Sequence, residues 1–179
     1  DELSDFYITT NHNASGRISQ DAKSIFATEK TVYVLDTNYI KAIDVETEKV
    51  SEITLSGFSG LKMLASTNNT FLLSSGTNLI LAKVKGNTLE SIEISGNISR
   101  LENVSALATF ENDYYVLNNE TVNNQQRAVV YKLSSTNPVL TQHSTVAGRG
   151  DALTTDVFGD VYVEVYNEAD AKFYVYATD

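Results

Sequence analysis

Carboxylates are the only abundant groups in this sequence with catalytic or metal-binding chemistry. Five of them crowd its carboxyl-terminal part: Asp156, Asp160, Glu164, Glu168 and Asp170. Hard cations such as calcium take oxygen donors of this kind, and Glu168 and Asp170 flank one predicted turn. Their spacing fits neither an EF-hand nor a nonapeptide calcium loop. The expectation is therefore a solvated acidic turn, with no resident metal and no cofactor. Two histidines, His12 in an NHNASG turn and His143 in a predicted strand, and the absence of cysteine leave no donor set of the usual kind for zinc. Neither histidine sits beside a strained serine turn, so no Ser-His-Asp triad is indicated. The glycines stand singly, which gives no phosphate-cradling loop. Arg149-Gly150-Asp151 spells a tripeptide that many adhesive proteins show to cell-surface receptors, and the repeat structure around it decides how to read it.

Charge narrows the partners. A net charge of −10 over 179 residues repels nucleic-acid phosphates and disfavours an anionic membrane surface. No apolar run approaches the roughly 18–20 residues that cross a bilayer as a helix. The first ten residues, DELSDFYITT, lack the basic head and apolar stretch of a signal peptide, although they suit a mature terminus left after cleavage. Without cysteine there is no disulfide framework. The 42% hydrophobic content suits one globular domain with a real core.

The elements that must position these groups show up as a repeat. Ser15-Gly16, Ser56-Gly57, Ser95-Gly96 and Ala147-Gly148 punctuate the chain at intervals of about 40–50 residues, the period of a propeller blade. After each mark come a short apolar stretch, a tight turn, and a strand rich in β-branched and aromatic residues. Those strands are TVYVLD at 31–36, TFLLSS at 70–75, DYYVLN at 113–118 and DVYVEVY at 160–166. They are too short for helices and too apolar for simple alternation, as expected of strands covered on both faces. A third strand follows in each unit (39–45, 78–84, 127–133 and 171–177), and a fourth in the first three (50–55, 88–94 and 139–146). Residues 5–10 precede Ser15-Gly16 as the other fourth strands precede their glycines. This predicts that an amino-terminal strand completes the last unit, tying down a sheet edge.

Two segments carry a family likeness. TVYVLDTNYIKAIDVETEKVSEITLSG, at 31–57, resembles the YVTN-type repeat of prokaryotic surface proteins, and DVFGDVYVEV, at 156–165, is similar to the core of NHL-type repeats. The resemblance implies an all-β β-propeller; its families usually build six or seven blades, whereas the repeats in this chain supply four, so the expectation is a four-bladed β-propeller of four-stranded antiparallel blades. Blade 1 covers about 17–56, blade 2 about 58–95, blade 3 about 97–147, and blade 4 about 149–179 plus 5–10. The alternative is a β-sandwich, since many short strands also build one.

Propeller geometry gathers the turns between second and third strands, and the blade junctions, on one face. The candidate ligand-face residues are Arg17, Asn38, Phe58, Asn78, Arg100, Asn119, Arg149, Glu168 and Asp170. Amides and arginines on an otherwise acidic protein suit a protein carboxylate or a glycan. NNETVNNQQR, at 118–127, reads as the longest loop. Five N-x-[ST] acceptors, Asn13, Asn68, Asn97, Asn103 and Asn119, point to a glycosylated, extracellular or cell-surface protein. The expected function is thus a non-catalytic binding or assembly module, with a protein or glycan partner and oligomer or filament formation through the amino-terminal strand. A carbohydrate-active enzyme with carboxylates at the channel mouth is the alternative. Because Arg149 follows a blade-junction glycine, as Arg17 does, its tripeptide reads as a feature of the repeat rather than an adhesion signal.

Overall fold

The computed structural model describes residues 18–19 and 21–178. Within them lie sixteen strands and a single 3-10 turn, Asn97–Arg100. The strands run as successive up-and-down meanders. The first is β1 (Ser24–Ala27), β2 (Thr31–Leu35), β3 (Tyr39–Asp44) and β4 (Val50–Thr54). The second is β5 (Met63–Thr67), β6 (Thr70–Ser74), β7 (Leu79–Lys85) and β8 (Thr88–Ile92). Outer strands β4 and β8 meet in one parallel bridge, Thr54 to Thr88, which joins the two meanders into an eight-stranded sheet. The third comprises β10 (Val104–Phe110), β11 (Asp113–Val122), β12 (Gln125–Ser134) and β13 (Val139–Ala147), with the two-residue β9 (Ser95–Gly96) alongside β13. A three-stranded sheet, β14 (Arg149–Thr155), β15 (Val161–Asn167) and β16 (Lys172–Thr178), ends the described chain.

Sequence periodicity placed these strands well because each carries β-branched or aromatic side chains on a face that meets a neighbouring sheet. Three cores result, each between consecutive meanders. Leu35, Ile40 and Ile53 pack on Leu64, Phe71 and Leu73, and Ala65, Leu72 and Leu81 on Tyr114, Val116 and Tyr131. Tyr115, Leu117 and Val130 pack on Val161, Val163 and Val165. A sandwich would have one core between two layers; here a series of cores stacks sheet on sheet. The innermost strands touch in the same order, β1 with β5, β5 with β10, and β10 with β14.

Two of the punctuating glycines are required by close approach as well as by backbone. Gly96 has φ +88°, and a Cβ there would lie 2.4 Å from the carbonyl oxygen of Leu140. Gly148 has φ +110°, and a Cβ would meet Val165 Cγ1 at 2.6 Å and the Tyr166 carbonyl oxygen at 2.7 Å. Only glycine accepts both constraints. Gly16 and the expected closing strand at 5–10 lie outside the described residues.

Segment 118–127 departs from the reading as a long loop. It continues β11 and β12 as a paired extension, Asn119 opposite Ala128 through Val122 opposite Gln125, closed by Asn123 and Asn124 alone. Those asparagines take φ of 52° and 61°, the left-handed pair of a type I′ hairpin turn. An Asn-Asn step in a polar stretch looks like loop sequence but is also this turn's preferred chemistry.

Candidate functional site

The residues proposed for a ligand face distribute unevenly. Asn38 and Asn78 are exposed in the β2–β3 and β6–β7 turns, where their carbonyls accept from the amides of Leu55 (2.9 Å) and Ser75 (3.3 Å). Phe58, half-buried, leans on the core between the first two meanders. Arg100 ends the 3-10 turn, and its carbonyl accepts from the Asn118 amide at 3.3 Å. Glu168 and Asp170 are exposed in the β15–β16 turn, where Asp170 accepts from the Tyr174 hydroxyl. Arg17 and the acceptor Asn13 lie outside the described residues. Of the other acceptors, Asn68 and Asn103 are exposed and Asn97 is half-buried.

Asn119 and Arg149 do a different job from the one their sequence context implies. Asn119 is buried on β11, and its amide clamps β14: Nδ2 donates to the Gly150 carbonyl at 2.9 Å, and Oδ1 accepts from the Gly150 amide at 2.7 Å. Ser105 Oγ donates to the same carbonyl at 3.0 Å. Both backbone groups of the central glycine of Arg149-Gly150-Asp151 are thereby satisfied inside the protein, which a buried edge requires. Arg149 and Asp151 stand on a strand, not in a loop, and bind one another through two hydrogen bonds of 2.9 Å. The guanidinium also lies 5.3 Å from the centre of the Tyr166 ring. Each partner stabilises the other's charged form, so the Asp151 carboxyl sits below its ordinary range and Arg149 above its own. Asn119, with its only amide nitrogen engaged and buried, is placed as a structural residue.

The carboxyl-terminal carboxylates are separated by β15, which itself carries only Glu164. Asp156 and Asp160 belong to the β14–β15 turn, whereas Glu168 and Asp170 lie beyond the other end of seven-residue β15, roughly 20 Å away at ~3.3 Å per residue. Among the described residues no group of three or more His, Asp or Glu converges as metal ligands would. Asp156 organises its own turn. Burial pushes its carboxyl up, but the amides of Phe158 (2.9 Å) and Asp160 (3.0 Å) and the Tyr162 hydroxyl (3.3 Å) outweigh that and hold it below the ordinary value.

Space for a ligand lies at the end of the sheets opposite Asn38, Asn78 and Glu168. There the turns that join the first two strands of every meander surround a cavity of about 760 Å³. Its walls include Phe26, Tyr33 and Phe110, and its rim carries Glu29, Lys30, Glu111 and Asp156. The turns are tight: Asn68 and Asn69 take φ of 49° and 57°, and Glu111 of 53°. Gly159 admits the Phe110 ring, whose Cε1 would be 2.7 Å from a Cβ there. A groove of about 620 Å³ adjoins it, sharing Thr31, Tyr33, Ser66 and Asn69 and running between the first two meanders past Phe71 to Asp44 and Lys49. Its floor is the edge-to-face pair Tyr33 and Phe71, 5.0 Å between ring centres. Nothing in the sequence marked this end, because its aromatic walls belong to strands whose apolarity reads as core.

No family model and no curated protein matches the sequence. Solved structures do. A computationally designed protein, Ika4, aligns at 13% identity with a TM-score of 0.60, over 93% of this chain and 96% of the designed one. Hydrazine synthase of Kuenenia stuttgartiensis aligns at 9% identity with a TM-score of 0.61, over 91% of this chain and 47% of its own. YCF48 bound to D1 peptide aligns at 11% identity with a TM-score of 0.51, over 81% and 46%. The chain thus spans about half the length of the last two. Such likenesses show the fold alone, and the fold is of the β-propeller type.

Proposed function

We propose that this protein is a non-catalytic β-propeller module that binds a protein or glycan partner. Its four meanders are read as four blades, with residues 5–10 completing the last one beside β16. The observation that carries the reading is the cavity ringed by the inner-strand turns: a hollow with aromatic walls and a polar rim, adjoined by a groove that shares Thr31, Tyr33, Ser66 and Asn69 with it. YCF48, a propeller-type relative in fold, is bound to a peptide, which supports a peptide or protein as the partner class. The YVTN-like segment at 31–57 and the acceptors Asn68, Asn97 and Asn103 support a secreted or cell-surface setting with glycans on the module itself. Asn119 is withdrawn from that set because its amide is buried and engaged.

The test is binding to peptide and glycan arrays by the purified protein and by two variants at exposed cavity positions, Ala27→Trp to fill the hollow and Glu29→Arg to reverse its rim charge. The expected outcome is a partner class whose binding weakens at least about tenfold in both variants, or ~1.4 kcal/mol, with the fold unchanged by circular dichroism. Binding indifferent to both variants would reject this site. Turnover of a glycan that is lost in Glu29→Gln or Asp156→Asn would reject the non-catalytic reading in favour of channel-mouth carboxylates.

A further inference from the structure

The cavity end of the sheets carries two features that the protein's own packing leaves unmatched. The first is apolar. Val157 and Phe158, at the tip of the β14–β15 turn, are 84% and 83% exposed, more than any other large hydrophobic side chain among the described residues. Val157 also lines the cavity, beside the walls formed by Phe26, Tyr33 and Phe110. Single exposed apolar residues are ordinary, whereas an adjacent pair continuous with an aromatic-walled hollow marks a contact surface. The second feature is anionic. Glu29, Glu111 and Asp156 line the same hollow against one base, Lys30. Elsewhere carboxylates are matched by bases of this chain: Glu52 by Lys41, Glu90 by Lys83 and Lys85, Asp113 by Lys132, and Asp151 by Arg149. Among the described residues neither Glu29 nor Glu111 enters such a pair.

We propose that the occupant of this site is a cationic peptide segment of a partner protein. Its apolar centre packs on the aromatic walls and on Val157-Phe158, and Lys or Arg on either side of that centre meets Glu29, Glu111 and Asp156. The inference rests on the reading of the cavity as the binding site, and narrows its partner from protein or glycan to a basic peptide. Charge complementarity selects this occupant. A second copy of the chain would bring the same acidic rim against this one, and anionic lipid or nucleic acid would be repelled for the same reason. A neutral glycan would cover the carboxylates without supplying a counter-charge, which costs desolvation and returns no attraction. The adjoining groove sets the length of the segment. It crosses β2, β3 and β4 past the Tyr33–Phe71 pair, a distance of ~10 Å at ~4.8 Å per strand, which about three extended residues cover.

Fluorescence anisotropy with labelled synthetic peptides is the experiment. The peptide KKFLKK is expected to bind the 179-residue protein. SSFLSS and KKSSKK should bind at least about tenfold more weakly, and EEFLEE more weakly still. Glu29→Arg and Glu111→Arg should each weaken KKFLKK about tenfold, as should Val157→Ser combined with Phe158→Ser, with an unchanged strand signal in circular dichroism. Glu168→Arg makes the same charge change at the opposite end of the sheets and should leave binding within about twofold. No binding of KKFLKK would overturn the proposal. So would equal binding of EEFLEE or KKSSKK, or losses in Glu29→Arg and Glu111→Arg no greater than in Glu168→Arg. Ala27→Trp judges the site separately. An acidic peptide or a glycan whose binding is lost in that variant would keep the site and reject the basic peptide, whereas KKFLKK binding indifferent to it would reject both.

Discussion

The third meander and the last sheet are built from similar sequence and end in opposite conditions. DYYVLN on β11 and FYVYA on β16 are both runs of aromatic and β-branched residues, and both form regular antiparallel strands. On β11, Tyr114 through Asn119 are buried without a break, because cores press on both faces. On β16 only Thr178 is buried, and Phe173 through Ala177 are exposed. Composition therefore specifies that a segment is a strand, and position in the stack specifies whether its apolar area contributes anything to stability. The hydrophobic effect scales with area removed from water, not with area present.

The sharpest way to break this contrast is to cut the same kind of side chain on both strands. Leu117→Ala on β11 removes a fully buried side chain between the third meander and the last sheet and should cost about 2–5 kcal/mol in urea denaturation. Val175→Ala on β16 should cost no more than about 0.5 kcal/mol within a single chain. Equal losses would mean that β16 is covered in solution even when the chain is alone.

Polar groups extend the comparison. Asn119→Ala strips the clamp from both backbone groups of Gly150 and leaves a buried amide without an acceptor, a cost of about 2–3 kcal/mol. Tyr114 plays the matching part between the second and third meanders. Its hydroxyl donates to the Thr70 carbonyl at 2.8 Å and sits 2.8 Å from Thr70 Oγ1. Tyr114→Phe should lose about 1–2 kcal/mol at neutral pH. Burial is the main reason the Tyr114 phenol is pushed up to about 12, from 10.0. With the folded value raised, its contribution is complete below pH 10 and is lost as pH climbs toward 12, because the unfolded chain ionises first. Denaturation followed across that window should show a decline that is shallower in Tyr114→Phe; identical declines would deny Tyr114 this role.

What could be read from the residues follows the same division. Strands at 31–35, 70–74, 113–122 and 161–167 were legible because β-branched runs between turn signals have few other folds. The marks at Gly57, Gly96 and Gly148 were legible because positive φ selects glycine. Residues 118–127 were misread because exposed hairpin arms are as polar as loops, and only the Asn123-Asn124 step betrays the turn. Asn119 looked like a ligand-face amide because burial depends on β14, which comes thirty residues later in the chain. The cavity walls and the exposed outer face of the last sheet left no signal, since Phe26 and Val175 have the same character whether a sheet, a ligand or water lies against them.

The smallest effect expected is at the tripeptide that most resembles a signal. In an adhesive loop, Arg and Asp side chains point outward and apart, free to meet a receptor. Here Arg149 and Asp151 are bonded to one another, and the glycine between them is pinned by Asn119 and Ser105. Receptor binding would have to break the pair and pull β14 from the stack, against a clamp worth about 2–3 kcal/mol. Cells plated on the protein should therefore attach equally to the unaltered form and to Asp151→Glu, a change that spoils the adhesive tripeptide while keeping a carboxylate for Arg149. Stability should shift by no more than about 0.5 kcal/mol, as for an exposed ion pair. Attachment lost in Asp151→Glu alone would show that this edge of the last sheet opens, and that it is as loosely held as β16 on the other side.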